Sequence, residues 1–376
     1  MSTHIKHIEA IEVVVPARPG SLNSSDVHDK DSAFAKKFLT GESWTEFANQ
    51  PKWIIRITLE NGVQGIGETY RSASAETIKE AIQTLSGKDI LKLNWRRLPI
   101  DDQRIYESFE TAILDIVGKL LNVPIHQLLG GAYRDRVDCN GWTGRRNPED
   151  AAQKAYEAML KGHKIFKFKC SDEDPVRLWT KAIREKCGTG IRIILDPNQR
   201  WTDVETTLRL MEGVDPEVMY GLEDPILHED LRGFKTLKAT LNVPLFRHIS
   251  LPYTQDIRDI IAFVKEDAVD GYNFNGSAFN SVLLAEIAYL EGKSCWRGSE
   301  VDLGISEAMG VHIAAASINC TIPSDLFGEL VRVNDLIVKP LEFINDAIMV
   351  PQLPGLGVTL DTQALEQFKT GTIITS

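Results

Sequence analysis

Eight short apolar runs recur about every 25 residues from position 137 onward in this 376-residue chain. They read VDCNGWT (137–143), IFKFKC (165–170), IRIILD (191–196), VMYGLED (218–224), VPLFRHI (243–249), AVDGYNF (268–274), SCWRGS (294–299) and INCTIPSD (318–325). Between them lie amphipathic stretches such as PEDAAQKAYEAML, DPVRLWTKAIREKC and VETTLRLMEGV, with apolar residues at helical spacing. Eight equal strand-then-helix units predict an α/β fold, a (β/α)8-type TIM barrel. A doubly wound sheet is the competing architecture. It is disfavoured because no glycine-rich phosphate fingerprint follows the first run.

The flanks differ in texture. Residues 5–15 alternate like a strand, and KWIIRITLENGVQGIGETY reads as a hairpin turning at Asn61-Gly62. Helical patterns then run from SAETIKEAIQTLSG to SFETAILDIVGKLLNVPIHQLLGG. The division expected is an α+β capping domain over 1–130, a barrel over 131–340, and a segment over 341–376 that packs back on the cap. Residues 16–50 are polar and rich in Gly, Ser, Asp and Asn, the texture of a mobile lid loop.

Bulk properties exclude several roles. A net charge of −11 argues against a nucleic-acid partner. The N-terminus lacks the continuous apolar core of a signal peptide, and no run reaches membrane-spanning length. The five cysteines have no disulfide or metal spacing. Buried free thiols, as in a reducing cytoplasm, are expected.

In a parallel barrel, active groups sit at the C-terminal ends of the strands. Those ends carry Lys167 and Lys169, then Asp196, Glu223, Arg247 with His248, the set Asp270, Asn273 and Asn275, then Glu300 and Asp325. Lys169, Asp196 and Glu223 follow one another at intervals of 27 residues, one βα unit each. Oxygen ligands from adjacent strands suit a hard divalent cation, Mg²⁺ above all. Either acid alone could equally be a helix cap. Lys167 and Lys169 share one strand face, so both point into the mouth while Phe166 and Phe168 point outward. A lysine crowded by another cation and a metal has a lowered pKa and can act as a base.

These residues, taken together, resemble the mandelate racemase and muconate lactonizing enzyme branch of the enolase superfamily. NGVQGIGET looks like its capping-domain hairpin, KFK its Lys-x-Lys strand, LDPNQRW and LEDP its first two metal ligands, and GLGVTLD its closing segment. The resemblance implies Mg²⁺ at Asp196 and Glu223, Lys169 as the base, and Lys167 as a neighbour that tunes it or binds the substrate carboxylate. Asn198, Arg146 and Trp142 become candidate substrate contacts, though each could be a plain loop residue. A small-molecule carboxylate as substrate and a homo-oligomer are also implied.

The departures narrow the reaction. Where the third ligand is usually acidic or Asn, the chain reads VPLFRHIS, so His248 is either that ligand or a structural histidine. No histidine falls on strand seven, although Asp270 stands where the acid of a His-Asp dyad would be expected. No lysine falls on strand six, but Glu300 stands where the muconate lactonizing type has a strand-seven Glu. The expectation is therefore one-sided proton abstraction α to a carboxylate, with Glu300 as proton donor: dehydration of a sugar acid or other hydroxy acid. The alternatives are a racemase, epimerase or cycloisomerase, and a barrel that binds an acid without efficient turnover.

Overall fold

A computed structural model describes residues 2–27, 50–253 and 256–375. Residues 28–49 of the expected lid loop lie outside the described residues. Strands β1 (Ile5–Val13), β2 (Lys52–Leu59) and β3 (Gln64–Glu68) form an antiparallel sheet. β2 and β3 are joined at Asn61-Gly62, where Gly62 has a φ of 87°. The sheet lies on the buried face of a long helix, Gln103–Leu121. Contact is close because β3 carries glycine at its inward positions. A Cβ on Gly65 would stand 2.0 Å from the carbonyl oxygen of Ala112, and one on Gly67 would stand 1.8 Å from that of Ser108. Overpacking against side chains costs about 1–3 kcal/mol, and here the obstacle is backbone. Gly67→Val is expected to lower the thermal midpoint or abolish soluble expression. A midpoint equal to wild type would contradict this packing.

The chain then forms β4 (Arg136–Asp138) and the seven parallel strands β5 (Gly141–Thr143), β6 (Ile165–Lys169), β7 (Arg192–Asp196), β8 (Met219–Glu223), β9 (Leu245–Ser250), β10 (Gly271–Asn275) and β11 (Ser294–Arg297). Each pairs with its sequence neighbour, in the order β11-β10-β9-β8-β7-β6-β5. Residues 319–325 close the ring. They bond to the β11 segment through Cys295 N–H→Asn319 O at 3.0 Å and Asp325 N–H→Arg297 O at 2.8 Å. On the other side they bond through Asn140 N–H→Ser324 O at 3.0 Å and Ser324 N–H→Asp138 O at 2.7 Å. The expected barrel is therefore present, with an eighth strand made of short bridges rather than a continuous ladder.

Alternation along each strand builds the interior. Phe168 points outward onto Trp179 of the helix Val176–Cys187, with ring centroids 5.6 Å apart. Inside, Phe246 and Trp296 meet edge to face at 5.2 Å and form a floor below Lys167. Gly221 and Gly271 leave room for the Phe246 ring, which a Cβ on either would meet at 2.1 and 3.2 Å.

After the ring, β12 (Phe343–Ile344) pairs with β13 (Ala347–Met349), which pairs with β4, and β14 (Lys369–Thr375) adds to β1. No helix among the described residues is long and apolar enough to cross a membrane. The cysteines are free thiols, and Cys139, Cys170, Cys295 and Cys320 are buried.

Two acids of the cap helix lock it to the barrel. Glu107 pairs with Arg297 of β11. Glu110 accepts from Ser277 Oγ at 2.9 Å and from the Ala278 amide at 2.6 Å. Burial pushes the Glu110 carboxyl up to about 8. An unfolded glutamate ionises near pH 4.3, about four units lower. Between the two values the native chain holds a proton that the unfolded chain has lost, so stability falls as pH rises across that window. Glu110→Gln is expected to flatten this decline in urea midpoints measured from about pH 5 to about pH 8. A wild-type decline that the substitution leaves unchanged would rule out Glu110 as its source.

Candidate active site

The mouth is organised around the two lysines of β6. Lys167 is 2% exposed. Its Nζ stands 2.5 Å from Glu223 Oε2, 2.9 Å from Asp325 Oδ2 and 3.1 Å from Asp196 Oδ2. Burial alone would lower this ammonium, but Asp325, Glu223 and Asp196 outweigh it and hold it well above its ordinary value. Lys167 is thus a fixed cation. Lys169, one pleat nearer solvent, donates to Asp196 Oδ2 and Asn198 Oδ1, both at 2.6 Å. Its side chain is 18% exposed.

Around them is a layer of acids and amides. Burial and the neighbouring Asp196 push the Glu223 carboxyl up to about 8, against the pull of Lys167. Burial also acts on Asp196, but Lys169 and Lys167 win and hold it below the usual carboxylate range. Asn273 donates to Glu223 Oε1 at 2.7 Å and Asn140 to Asp325 Oδ1 at 2.6 Å. One step outward, burial lowers His248 to about 4, so its ring is neutral near pH 7. Its Nε2 is 2.8 Å from Asn275 Oδ1, and its Nδ1 is 3.7 Å from Glu223 Oε1.

Glu300 lies on the far side of the ring. Its Oε1 is 3.5 Å from Asn275 Nδ2 and its Oε2 is 3.4 Å from Arg71 of the cap. The next residue, Val301, has a φ of 55°, a conformation that β-branched residues avoid. Such strain concentrates at functional loops.

Other expected site residues are placed elsewhere or engaged otherwise. Asp270 precedes β10, at the opposite end of the barrel from the lysines. It accepts from the Leu245 amide at 2.8 Å and lies 3.5 Å from Lys238. It cannot act at the mouth, because it stands at the wrong end of its strand. Trp142 is stacked on Phe327 at 5.2 Å. Arg146, 2% exposed, donates to Thr143 Oγ1 at 2.6 Å, Asp150 at 2.9 Å and the Gly20 carbonyl at 2.9 Å. It fastens the start of the polar 16–50 loop to the mouth. Asn198, with a φ of 46°, accepts from Lys169 and donates its amide to Asp196 at 3.1 Å.

Asn140 and Arg71 escape sequence reasoning as site residues, whereas Asn275 stands among the residues expected at the end of the sixth run. An amide at a strand end carries no charge pattern, and Arg71 reaches the mouth from a different domain. Asp325 does carry a signal, since it ends the eighth run.

Among the described residues, no three His, Cys, Asp or Glu side chains stand ready as a metal centre. The oxygens of Asp196 and Glu223 are held by ammonium groups instead. The chemistry of the set nevertheless fits a cation. Three buried carboxylates converge on one nitrogen, Glu223 is destabilised by its acidic neighbours, and the His248 imidazole stands beside them.

Comparison with known proteins places the geometry in context. Residues 150–364 match the family described as Enolase C-terminal domain-like, and residues 40–130 match the Mandelate racemase / muconate lactonizing enzyme, N-terminal domain. The chain is 26% identical to an N-succinyl-L-Arg/Lys racemase of Bacillus cereus, over 86% of this chain and 92% of that protein. It is 28% identical to muconate cycloisomerase 1 of Acinetobacter baylyi, over 87% and 94%. The crystal structure of the Bacillus cereus N-succinyl Arg/Lys racemase superposes with a TM-score of 0.84 at 21% identity, over 99% of this chain and 100% of that one.

Proposed function

Because this chain belongs to the mandelate racemase and muconate lactonizing enzyme branch of the enolase superfamily, we propose that its barrel mouth isomerises a small carboxylic acid by moving the proton α to the carboxylate. The observation that carries this reading is the division of labour on β6. Lys167 is sequestered among three carboxylates, while Lys169, one pleat out, is within reach of a substrate. Lys169 Nζ is the group placed to take the proton. Asn198 and Asp196 orient its nitrogen.

Asp196 and Glu223, with His248 beside them, would hold a divalent cation, which when bound supplies positive charge to the substrate carboxylate. Lys167 keeps these carboxylates apart and compensates their charge. Glu300 stands three strands from Lys169 one way round the ring and five the other, so it can deliver a proton from across the mouth. The docked loop residues 20–24 and Arg71 narrow access to water.

Relatives named as racemases, epimerases and cycloisomerases support isomerisation as the reaction class. Dehydration of a sugar acid is the second reading. It is favoured by Asn275, which stands four strands from Lys169 either way and carries a carboxamide that cannot exchange a proton with carbon. Glu300 is then the group that protonates a departing hydroxyl. The test is proton NMR in deuterated water with a divalent cation, over N-acyl amino acids, dipeptides, dienoic acids and aldonates. Deuterium at the α carbon with inverted configuration, or a cyclised isomer, supports isomerisation. A 2-keto product trapped by semicarbazide supports dehydration. No exchange with any of them would sink both.

A further inference from the structure

Asn275 has two neighbours of different character. Its Nδ2 faces Glu300 Oε1 at 3.5 Å, and its Oδ1 faces His248 Nε2 at 2.8 Å. Glu300 Oε2 faces the Arg71 guanidinium and Oε1 accepts from the amide NH₂, which turns the carbonyl to the imidazole. That carbonyl only accepts, so an imidazole that ligates through its other nitrogen carries its proton on Nε2. The lone pair is then on Nδ1, which stands 3.7 Å from Glu223 Oε1. This separation is too long for a hydrogen bond. It suits two donors on one ion, since atoms about 2.1 Å from a common centre lie about 3 to 4 Å apart as their angle opens from a right angle.

We infer that His248, held in this tautomer by Asn275, tunes the mouth toward a first-row transition ion such as Co²⁺ or Zn²⁺ at the expense of Mg²⁺. The inference rests on the reading above, in which Asp196 and Glu223 hold a divalent cation. Mg²⁺ takes oxygen ligands and sheds water reluctantly. Imidazole nitrogen suits the later first-row ions. The hydrogen-bond partner of a ligating histidine sets its tautomer and its basicity.

The experiment is calorimetric titration of chelator-treated full-length protein with Co²⁺, Zn²⁺ and Mg²⁺, together with proton NMR of the Co²⁺ form. Most sites prefer Co²⁺ to Mg²⁺, so the decisive quantity is the change in their affinity ratio on substitution. His248→Asp is expected to lower that ratio at least about tenfold, with Mg²⁺ binding strengthened. Asn275→Leu, an independent check should the first variant not fold, is expected to weaken Co²⁺ binding by about 10–100-fold while sparing Mg²⁺. The Co²⁺ protein should show one hyperfine-shifted, solvent-exchangeable imidazole N–H that His248→Asp removes. Ions that bind wild type with a ratio unmoved by either variant would overturn the inference and leave the cation reading standing. If neither ion binds wild type, both fall.

Discussion

Lys169→Met is expected to lower kcat by about 10²–10⁴-fold, the usual contribution of a positioned base, and to abolish α-proton exchange. Stability should change little, because the lysine side chain is partly exposed and Asp196 keeps its contact with Lys167. The matched control is Lys167→Met. Removing that fully buried cation strands Glu223 and Asp325, while Asp196 keeps Lys169, and breaking a buried pair costs about 3–5 kcal/mol. The two lysines thus predict opposite signatures: activity lost at constant stability for one, stability lost for the other. Exchange kinetics and urea titrations measured on both variants check this. An active Lys169→Met enzyme would remove the base from the mechanism.

Arg297→Met should unfold the assembly more readily than any surface change. The guanidinium, 4% exposed, pairs with Glu107 of the cap helix and donates to the Gly276 carbonyl at 2.9 Å and Ser281 Oγ at 3.1 Å. Burial pushes Glu107 up, Arg297 pulls it back, and Tyr70 donates to it at 2.9 Å. Substitution leaves that carboxyl buried without its cation, at a cost of about 3–5 kcal/mol. The double variant Arg297→Met with Glu107→Leu should recover part of the loss, because an apolar pair of similar volume avoids the stranded charge. Denaturant midpoints of the single and double variants measure it. A double variant no more stable than Arg297→Met would place the cost in the lost carbonyl and hydroxyl bonds instead.

The recurring strand-helix unit was legible because it is covalent and local. An alternating run has two faces whatever surrounds it, which is why Lys167 and Lys169 could be read as inward and Phe168 as outward before any contact was known. The Asn61-Gly62 turn was legible for the same reason. Asp270 shows the limit of that reasoning. A strand has two ends about 17 Å apart for five residues, and the hydrophobic pattern alone did not say at which end this acid falls.

What the sequence by itself determined was the fold and the succession of lysine, acid and acid around a ring, since period and spacing survive any rearrangement of neighbours. What only the tertiary structure decided was which charges meet. Asp325 reaches Lys167 because the eighth strand closes on the first. Arg71 reaches Glu300 because the cap sits over the mouth, and Asn275 sets the tautomer of His248 from the adjacent strand. The physical reason is that ion pairs and hydrogen bonds act over about 3 Å. Partners so far apart in sequence are brought to that distance only by closure of the barrel and docking of the cap.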